Sequence, residues 1–96
     1  MGKVVNQMEN LNLSRNIERR LINTIIDFVE DDEFFYSQST KLSDLATNYS
    51  LDSLDEVELI MAIEDEFNVV IEDDELPTLV TIADWVAHIA KLKGKT

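Results

Sequence analysis

Asp52-Ser53-Leu54-Asp55-Glu56-Val57-Glu58-Leu59-Ile60-Met61-Ala62-Ile63-Glu64-Asp65-Glu66-Phe67 is the stretch whose reading decides the fold. Its apolar residues recur every three or four positions, which is the pattern of an amphipathic helix. The spacing predicts a helix from about Ser53 to Phe67. At its head, Asp52-x-x-Asp55 and Ser53-x-x-Glu56 both have capping-box spacing. At its foot, Asn68 tolerates the left-handed conformation that ends a helix.

The predicted helix carries two apolar lines. Leu59, Ile63 and Phe67 lie at i,i+4 spacing with Ile60 beside them, and are assigned to the core. Leu54, Val57 and Met61 form a second line, about a quarter turn or more away. Asp55, Glu56, Glu58, Glu64 and Asp65 surround it. An apolar stripe rimmed by acids fits a surface that docks a partner helix or loop. The plainer reading is that the second line only widens the core face. Ser53 has a plainer reading too, since serine at a helix start is usually a cap worth about 1 kcal/mol. Because Asp52 can cap, Ser53 falls at the first helical position with its hydroxyl outward, where an attached phosphate gains from the helix N-terminus.

Outward from this helix the rest of the chain reads as helical. Residues 1–13 are polar and lack clear periodicity, so a flexible N-terminal tail is expected there, with one domain over 14–93. Ser14 is a candidate N-cap. Ile17, Leu21, Ile22, Ile25, Ile26, Phe28 and Val29 then mark a first helix, from about Arg15 to Glu30. A long connection, Asp31 to Leu51, holds Phe34, Phe35, Tyr36 and Tyr49, which are expected to pin it across the helices. Leu42 and Leu45 are spaced for one turn within it. Val69-Val70-Ile71 is a short apolar link with no second strand to pair with. Asp73 to Leu79 suggests one short helical turn or two, disturbed by Pro77. Thr81-Ile82-Ala83-Asp84 resembles another cap, and Ile82, Trp85, Val86, Ile89 and Leu92 predict a last helix ending near Gly94, with Lys91, Lys93 and Lys95 favourably placed against its dipole. The expected fold class is all-α: a small bundle of three main helices plus one short helix, with a long loop between the first and second.

Charge narrows the function. Twenty acids against eight bases leave a net charge of −12 in 96 residues. Nucleic acid is disfavoured as a partner, because phosphate binding needs Lys and Arg. Anionic lipid surfaces are disfavoured for the same reason. Between Leu42 and Ala90 there is no Lys or Arg and there are thirteen acids. A solvated acidic surface is the usual meaning of such a run. Excluding one sign over so long a stretch, however, forgoes stabilising i,i+4 pairs, and it favours partners with basic patches. Cysteine is absent, so no thiol nucleophile or cysteine metal site is available. The only glycines are Gly2 and Gly94, which excludes a calcium loop of the helix-loop-helix kind. His88 is the only histidine and no Gly-x-Ser-x-Gly elbow surrounds Ser53. No catalytic residue and no metal ligand is assigned. No apolar run reaches membrane-spanning length. No segment reads as a signal peptide, and the expected location is cytoplasmic.

Asp52-Ser53-Leu54, the acidic helix through Phe67, Val69-Val70-Ile71-Glu72-Asp73-Asp74-Glu75 and Thr81-Ile82-Ala83-Asp84-Trp85-Val86 together resemble the acyl carrier protein family. The likeness runs from about Leu21 to Leu92 and is strongest from Asp52 to Glu75. It implies an acyl-carrier-like bundle in which Ser53 bears 4′-phosphopantetheine, transferred from coenzyme A by a phosphopantetheinyl transferase (holo-carrier synthase). The borrowed arm would supply the thiol that this chain lacks, and acyl groups would ride on it as thioesters. The resemblance further implies that Asp52 and Asp55 contact the basic patch of that transferase. Leu54, Val57, Glu58, Met61, Glu64 and Asp65 would meet acyltransferases, ketosynthases and related enzymes of fatty acid, lipid or polyketide synthesis. Leu59, Ile63 and Phe67 would line a cavity that shelters the acyl chain. A monomer without nucleic acid or membrane insertion is expected.

This chain departs from the family pattern before the serine. The family usually places two residues, with a glycine, between Asp-Leu and Asp-Ser-Leu. Here Asp44-Leu45 is followed by Ala46, Thr47, Asn48, Tyr49, Ser50 and Leu51, so the loop must take a different path. The alternatives are an aminoacyl, peptidyl or D-alanyl carrier, and an acidic adaptor that is never modified.

Overall fold

The computed structural model describes the backbone of residues 2–94 and the side chains of residues 13–94. Its elements are α1 (Gly2–Val29), α2 (Leu42–Asn48), α3 (Ser53–Phe67), a 3₁₀ turn (Leu76–Thr78) and α4 (Ile82–Gly94). The all-α class expected from periodicity is what folds. Among the described residues the only β pairing is a single antiparallel bridge between Lys41 and Thr81.

Helix α1 differs from expectation at its start. It begins at Gly2 rather than near Arg15, so the backbone is helical through the segment read as a tail, and Ser14 lies inside the helix rather than capping it. The physical reason is the absence of a stop: no glycine or proline occurs between Lys3 and Val29. Among the residues whose side chains are described, the C-terminal half of α1 carries periodic core residues. Ile17, Leu21, Ile22 and Ile25 are buried there, packed against α3 and α4. The helix closes with Glu30 in the left-handed region (φ 57°), while the Glu30 and Asp31 amides both reach back to the Ile26 carbonyl.

The long connection also departs from expectation, because it contains a seven-residue helix rather than one turn. Leu42 is half-buried and Leu45 fully buried, so α2 presents the apolar face that their spacing promised. Six residues connect Leu45 to Asp52. Ala46, Thr47 and Asn48 extend α2, and Ser50 then reverses the chain at φ 56°. A non-glycine residue in that conformation costs about 1–2 kcal/mol. Tyr49 offsets part of this by donating its hydroxyl to Asp31. That carboxylate, with burial second, holds the Tyr49 hydroxyl pKa above its ordinary value.

Three of the four loop aromatics pin the connection as expected. Phe34 stacks on Tyr36 with centroids 6.1 Å apart and meets Tyr49 at 6.5 Å. The Tyr36 hydroxyl donates to Glu18 of α1 at 2.9 Å. Phe35 is the exception, 90% exposed. The short helical turn expected within Asp73 to Leu79 is a 3₁₀ turn with Pro77 in its first positions, where a missing N–H costs nothing. In the apolar link, Ile71 is buried, Val69 half-buried and Val70 exposed.

The Lys41–Thr81 bridge sets the geometry that matters for function. The Leu42 amide donates to the Val80 carbonyl at 3.2 Å, and the Ile82 amide to the Thr40 carbonyl at 2.8 Å. These bonds hold the start of α2 beside the start of α4. The expected cap of α4 forms at the same place. Thr81 Oγ1 accepts from the Asp84 amide at 3.1 Å, and Asp84 Oδ2 accepts from the Thr81 and Val80 amides at 3.0 and 3.1 Å. Those amide donors hold the Asp84 carboxyl below its ordinary pKa.

Candidate functional site

The head of α3 is built from backbone and carboxylates alone. Asp52 is the N-cap: its Oδ1 accepts from the Asp55 amide at 2.9 Å, and Asp55 Oδ2 accepts from the Asp52 amide at 3.1 Å. Of the two capping boxes that the spacing allowed, only this one forms. Ser53 therefore occupies the first helical position, exposed, with its hydroxyl outside the cap. A helix leaves its first four amides without intrahelical partners. Here the Asp55 amide is taken by the Asp52 side chain and the Glu56 amide by the Asp52 carbonyl. The amides of Ser53 and Leu54 have no partner among the described residues. Two free donors next to an exposed hydroxyl, at the positive end of a 15-residue helix, suit an anionic group attached to that oxygen.

From this head, α3 sends its two apolar lines in opposed directions. Leu59, Ile63 and Phe67 are buried at 2%, 0% and 1% exposure. Leu54, Val57 and Met61 are exposed at 64%, 51% and 55%, which excludes the reading that they widen the core. At roughly 100° per residue the two lines lie about 150° apart around the helix. Glu58 and Asp65 are exposed beside the outer line. Glu64 is half-buried, and its Oε2 accepts from the Ile71 amide at 2.8 Å. It anchors the apolar link, a task that periodicity did not reveal.

A cavity of about 190 Å³ opens on the other side of α3. Leu42 of α2, Leu51, Leu59 and Ile60 of α3, Leu79 after the 3₁₀ turn, and Trp85 of α4 form most of its wall. Its two polar members, Ser43 and Glu56, are both exposed. Leu51 lies two residues before Ser53 and Glu56 three after, so the cavity mouth adjoins the serine. Of the three residues expected to line an acyl cavity, only Leu59 reaches this wall. Ile63 and Phe67 are packed into the core further along α3. Sequence reasoning missed Leu42, Leu51, Leu79, Trp85 and Glu56 as cavity residues. Only the spacing of Leu42 with Leu45, and the apolar face of α4, hinted at them.

His88 lies apart from the serine. Its Nε2 is 3.1 Å from Glu75 Oε2, at the approach to the 3₁₀ turn. Arg20 ties α1 to the foot of α3 by pairing with the Glu66 carboxylate at 2.8 Å, bonding the Glu66 carbonyl and lying over the Phe67 ring at 4.6 Å.

Residues 19–89 match the family described as the phosphopantetheine attachment site. The chain belongs to the acyl carrier protein family. The match implies a covalently attached 4′-phosphopantetheine. The exposed Ser53 hydroxyl, the free amides beside it and the adjoining cavity mouth fit such a group. An acyl carrier protein of Porphyromonas gingivalis is 32% identical over 75 residues, covering 78% of this chain and 92% of that one. One of Akkermansia muciniphila is 49% identical over 43 residues, covering 45% of this chain and 54% of that one. Acyl carrier protein 3, mitochondrial, of Arabidopsis thaliana is 35% identical over 71 residues, covering 73% of this chain and 54% of that one. The chain thus spans about half the length of the latter two relatives. The family is one of non-catalytic carriers.

Proposed function

We propose that this protein carries acyl groups as thioesters on a 4′-phosphopantetheine arm attached to Ser53, and presents them to enzymes of fatty acid or related lipid or polyketide synthesis. The observation that carries the proposal is the division of labour at the head of α3, where Asp52 and Asp55 cap the helix and leave Ser53 exposed. A phosphopantetheinyl transferase performs the attachment. The Ser53 oxygen bonds to phosphorus as a pyrophosphate P–O bond of coenzyme A breaks. The nucleotide half leaves, and the hydroxyl proton passes to a base of the transferase. When bound, the arm supplies the thiol to which an acyl group is joined.

The chain's own residues do the rest by position and charge. Asp52 and Asp55 meet the basic patch of the transferase. The exposed line Leu54, Val57 and Met61, flanked by Glu58 and Asp65, meets acyltransferases, ketosynthases and related enzymes. Glu64 joins this rim while also holding the link. The acidic stretch steers such basic surfaces in. The carrier unit is residues 14–93, acting as a monomer in the cytoplasm. The relative from Arabidopsis thaliana is named as mitochondrial, so fractionation of the native cell is the check on location.

The deciding experiment is intact mass after incubation with coenzyme A and a phosphopantetheinyl transferase. One phosphopantetheine should add to the wild type and none to Ser53→Ala. No addition to the wild type, under conditions that modify a known carrier, would leave an unmodified acidic adaptor as the better reading.

A further inference from the structure

Phe35 is the most exposed of the large apolar side chains among the described residues, at 90%. A lone exposed apolar residue is ordinary on a protein surface. Phe35 differs in how it is held. Its neighbours Phe34 and Tyr36 are half-buried, packed against the core and stacked on each other. The Asp31 carboxylate ties the turn before it, accepting from the Glu33 amide at 3.0 Å and from the Tyr49 hydroxyl. Tyr36 and Gln38, just after it, both donate to Glu18 of α1. A side chain on so braced a turn has little backbone freedom to lose on binding. Asp32 and Glu33 are exposed beside it, which makes an aromatic knob with an acidic rim. The same clasp places the knob. Tyr49 belongs to the residues 46–51 that lengthen the approach to the serine, and its ring meets Phe34 at 6.5 Å. Since Tyr49 lies four residues before Ser53, the Phe35 turn is fastened to the serine-bearing end of the molecule.

We propose that Phe35 is a docking knob for the phosphopantetheinyl transferase, entering an apolar socket surrounded by basic side chains. This rests on the carrier reading of Ser53. Reach favours the transferase over the acyl enzymes. The transferase must close over the Ser53 oxygen itself, so its body covers what surrounds the serine. The later enzymes act on a thiol at the end of a long arm and can stand off. The rim acids Asp32 and Glu33 suit the basic patch of the transferase, and aromatic anchors are over-represented among residues that dominate binding.

The test measures modification of the full chain by coenzyme A and the phosphopantetheinyl transferase of its own cell, followed by intact mass. Phe35→Ala should raise KM for the carrier about ten-fold and leave kcat within about two-fold of wild type. Its melting temperature should match wild type, because a side chain so exposed supports nothing in the fold. Tyr49→Phe keeps the ring and removes the bond to Asp31. Tyr49 is a positioning residue here, so Tyr49→Phe should raise KM on its own and add nothing once Phe35→Ala is present. A KM for Phe35→Ala within about two-fold of wild type would overturn the proposal, whichever other enzyme the substitution impairs. So would a Tyr49→Phe effect that persists in full without Phe35. None of these outcomes touches the carrier reading, which fails only if Ser53 takes up no arm.

Discussion

Asp52 and Asp55 cap each other: each carboxylate accepts the other residue's backbone N–H, at 2.9 and 3.1 Å. This reciprocal pair satisfies the helix end without help from Ser53, and it separates the stability of α3 from the chemistry proposed for its first residue.

The separation is measurable. Asp52→Ala should lower unfolding free energy by about 1 kcal/mol, the usual worth of a side-chain cap, and Asp52→Asn should retain most of it. Ser53→Ala should change stability by less than about 0.5 kcal/mol, since the hydroxyl supports nothing in the fold. Urea melts of the three variants check both statements. A destabilisation by Ser53→Ala as large as that of Asp52→Ala would mean that the serine is the structural cap.

Arg20 makes three contacts at the foot of α3: the Glu66 carboxylate, the Glu66 carbonyl and the Phe67 ring. The ion pair itself is worth little, because both side chains are about two-fifths exposed. The planar guanidinium over the ring adds about 0.5–1 kcal/mol, and only arginine can stack and bond the carbonyl at once. Arg20→Ala should therefore cost about 1–2 kcal/mol. Arg20→Lys should recover less than half of that in a denaturant titration.

How far the fold could be read in advance depended on how local its causes were. The caps of α3 and α4 were legible, because Asp52-x-x-Asp55 and Thr81-x-x-Asp84 act within one turn. So was the split of α3 into two lines, whose opposed exposures follow from helical spacing. The extent of α1 was not legible, since it depends on the absence of any breaker between Lys3 and Val29 rather than on a signal. The wall of the cavity beside Ser53 was not legible for a different reason. Leu59, Ile63 and Phe67 share one helix face, but Trp85 and Leu42 meet Leu59 only because the Lys41–Thr81 bridge joins segments forty residues apart. Glu64 likewise resembled a surface acid until its bond to the Ile71 amide appeared.

Asp84 gives a pH prediction with a definite sign. Amide donors from Thr81 and Val80 lower its pKa from the ordinary 3.8. A carboxyl with a depressed folded value favours the native state above the unfolded value and loses that contribution as pH falls through the folded one. Asp84→Asn should thus be less stable than wild type at neutral pH. The gap between their melting temperatures should hold down to about pH 5 and close below the ordinary 3.8. Melting curves of both proteins over that range provide the measurement.

Salt should stabilise this protein, and the reason lies in which charges lack partners. The chain carries −12 overall, with no Lys or Arg from Leu42 to Ala90. The carboxylates of Glu58, Asp65 and Glu72 to Asp74 are exposed and close in sequence. Among the described residues Glu66 pairs with Arg20, and Glu75 has His88 Nε2 at 3.1 Å. Repulsion across such a surface acts over about 10 Å at 0.1 M salt and about 3 Å at 1 M. The melting temperature should rise by several degrees between low and high sodium chloride, at roughly 2–8 °C per kcal/mol of relieved repulsion. Glu58→Gln combined with Asp65→Asn should raise it at low salt and flatten the slope. A slope unchanged by removing those two charges would assign the salt effect to apolar burial instead, which chloride strengthens without regard to the protein's charge.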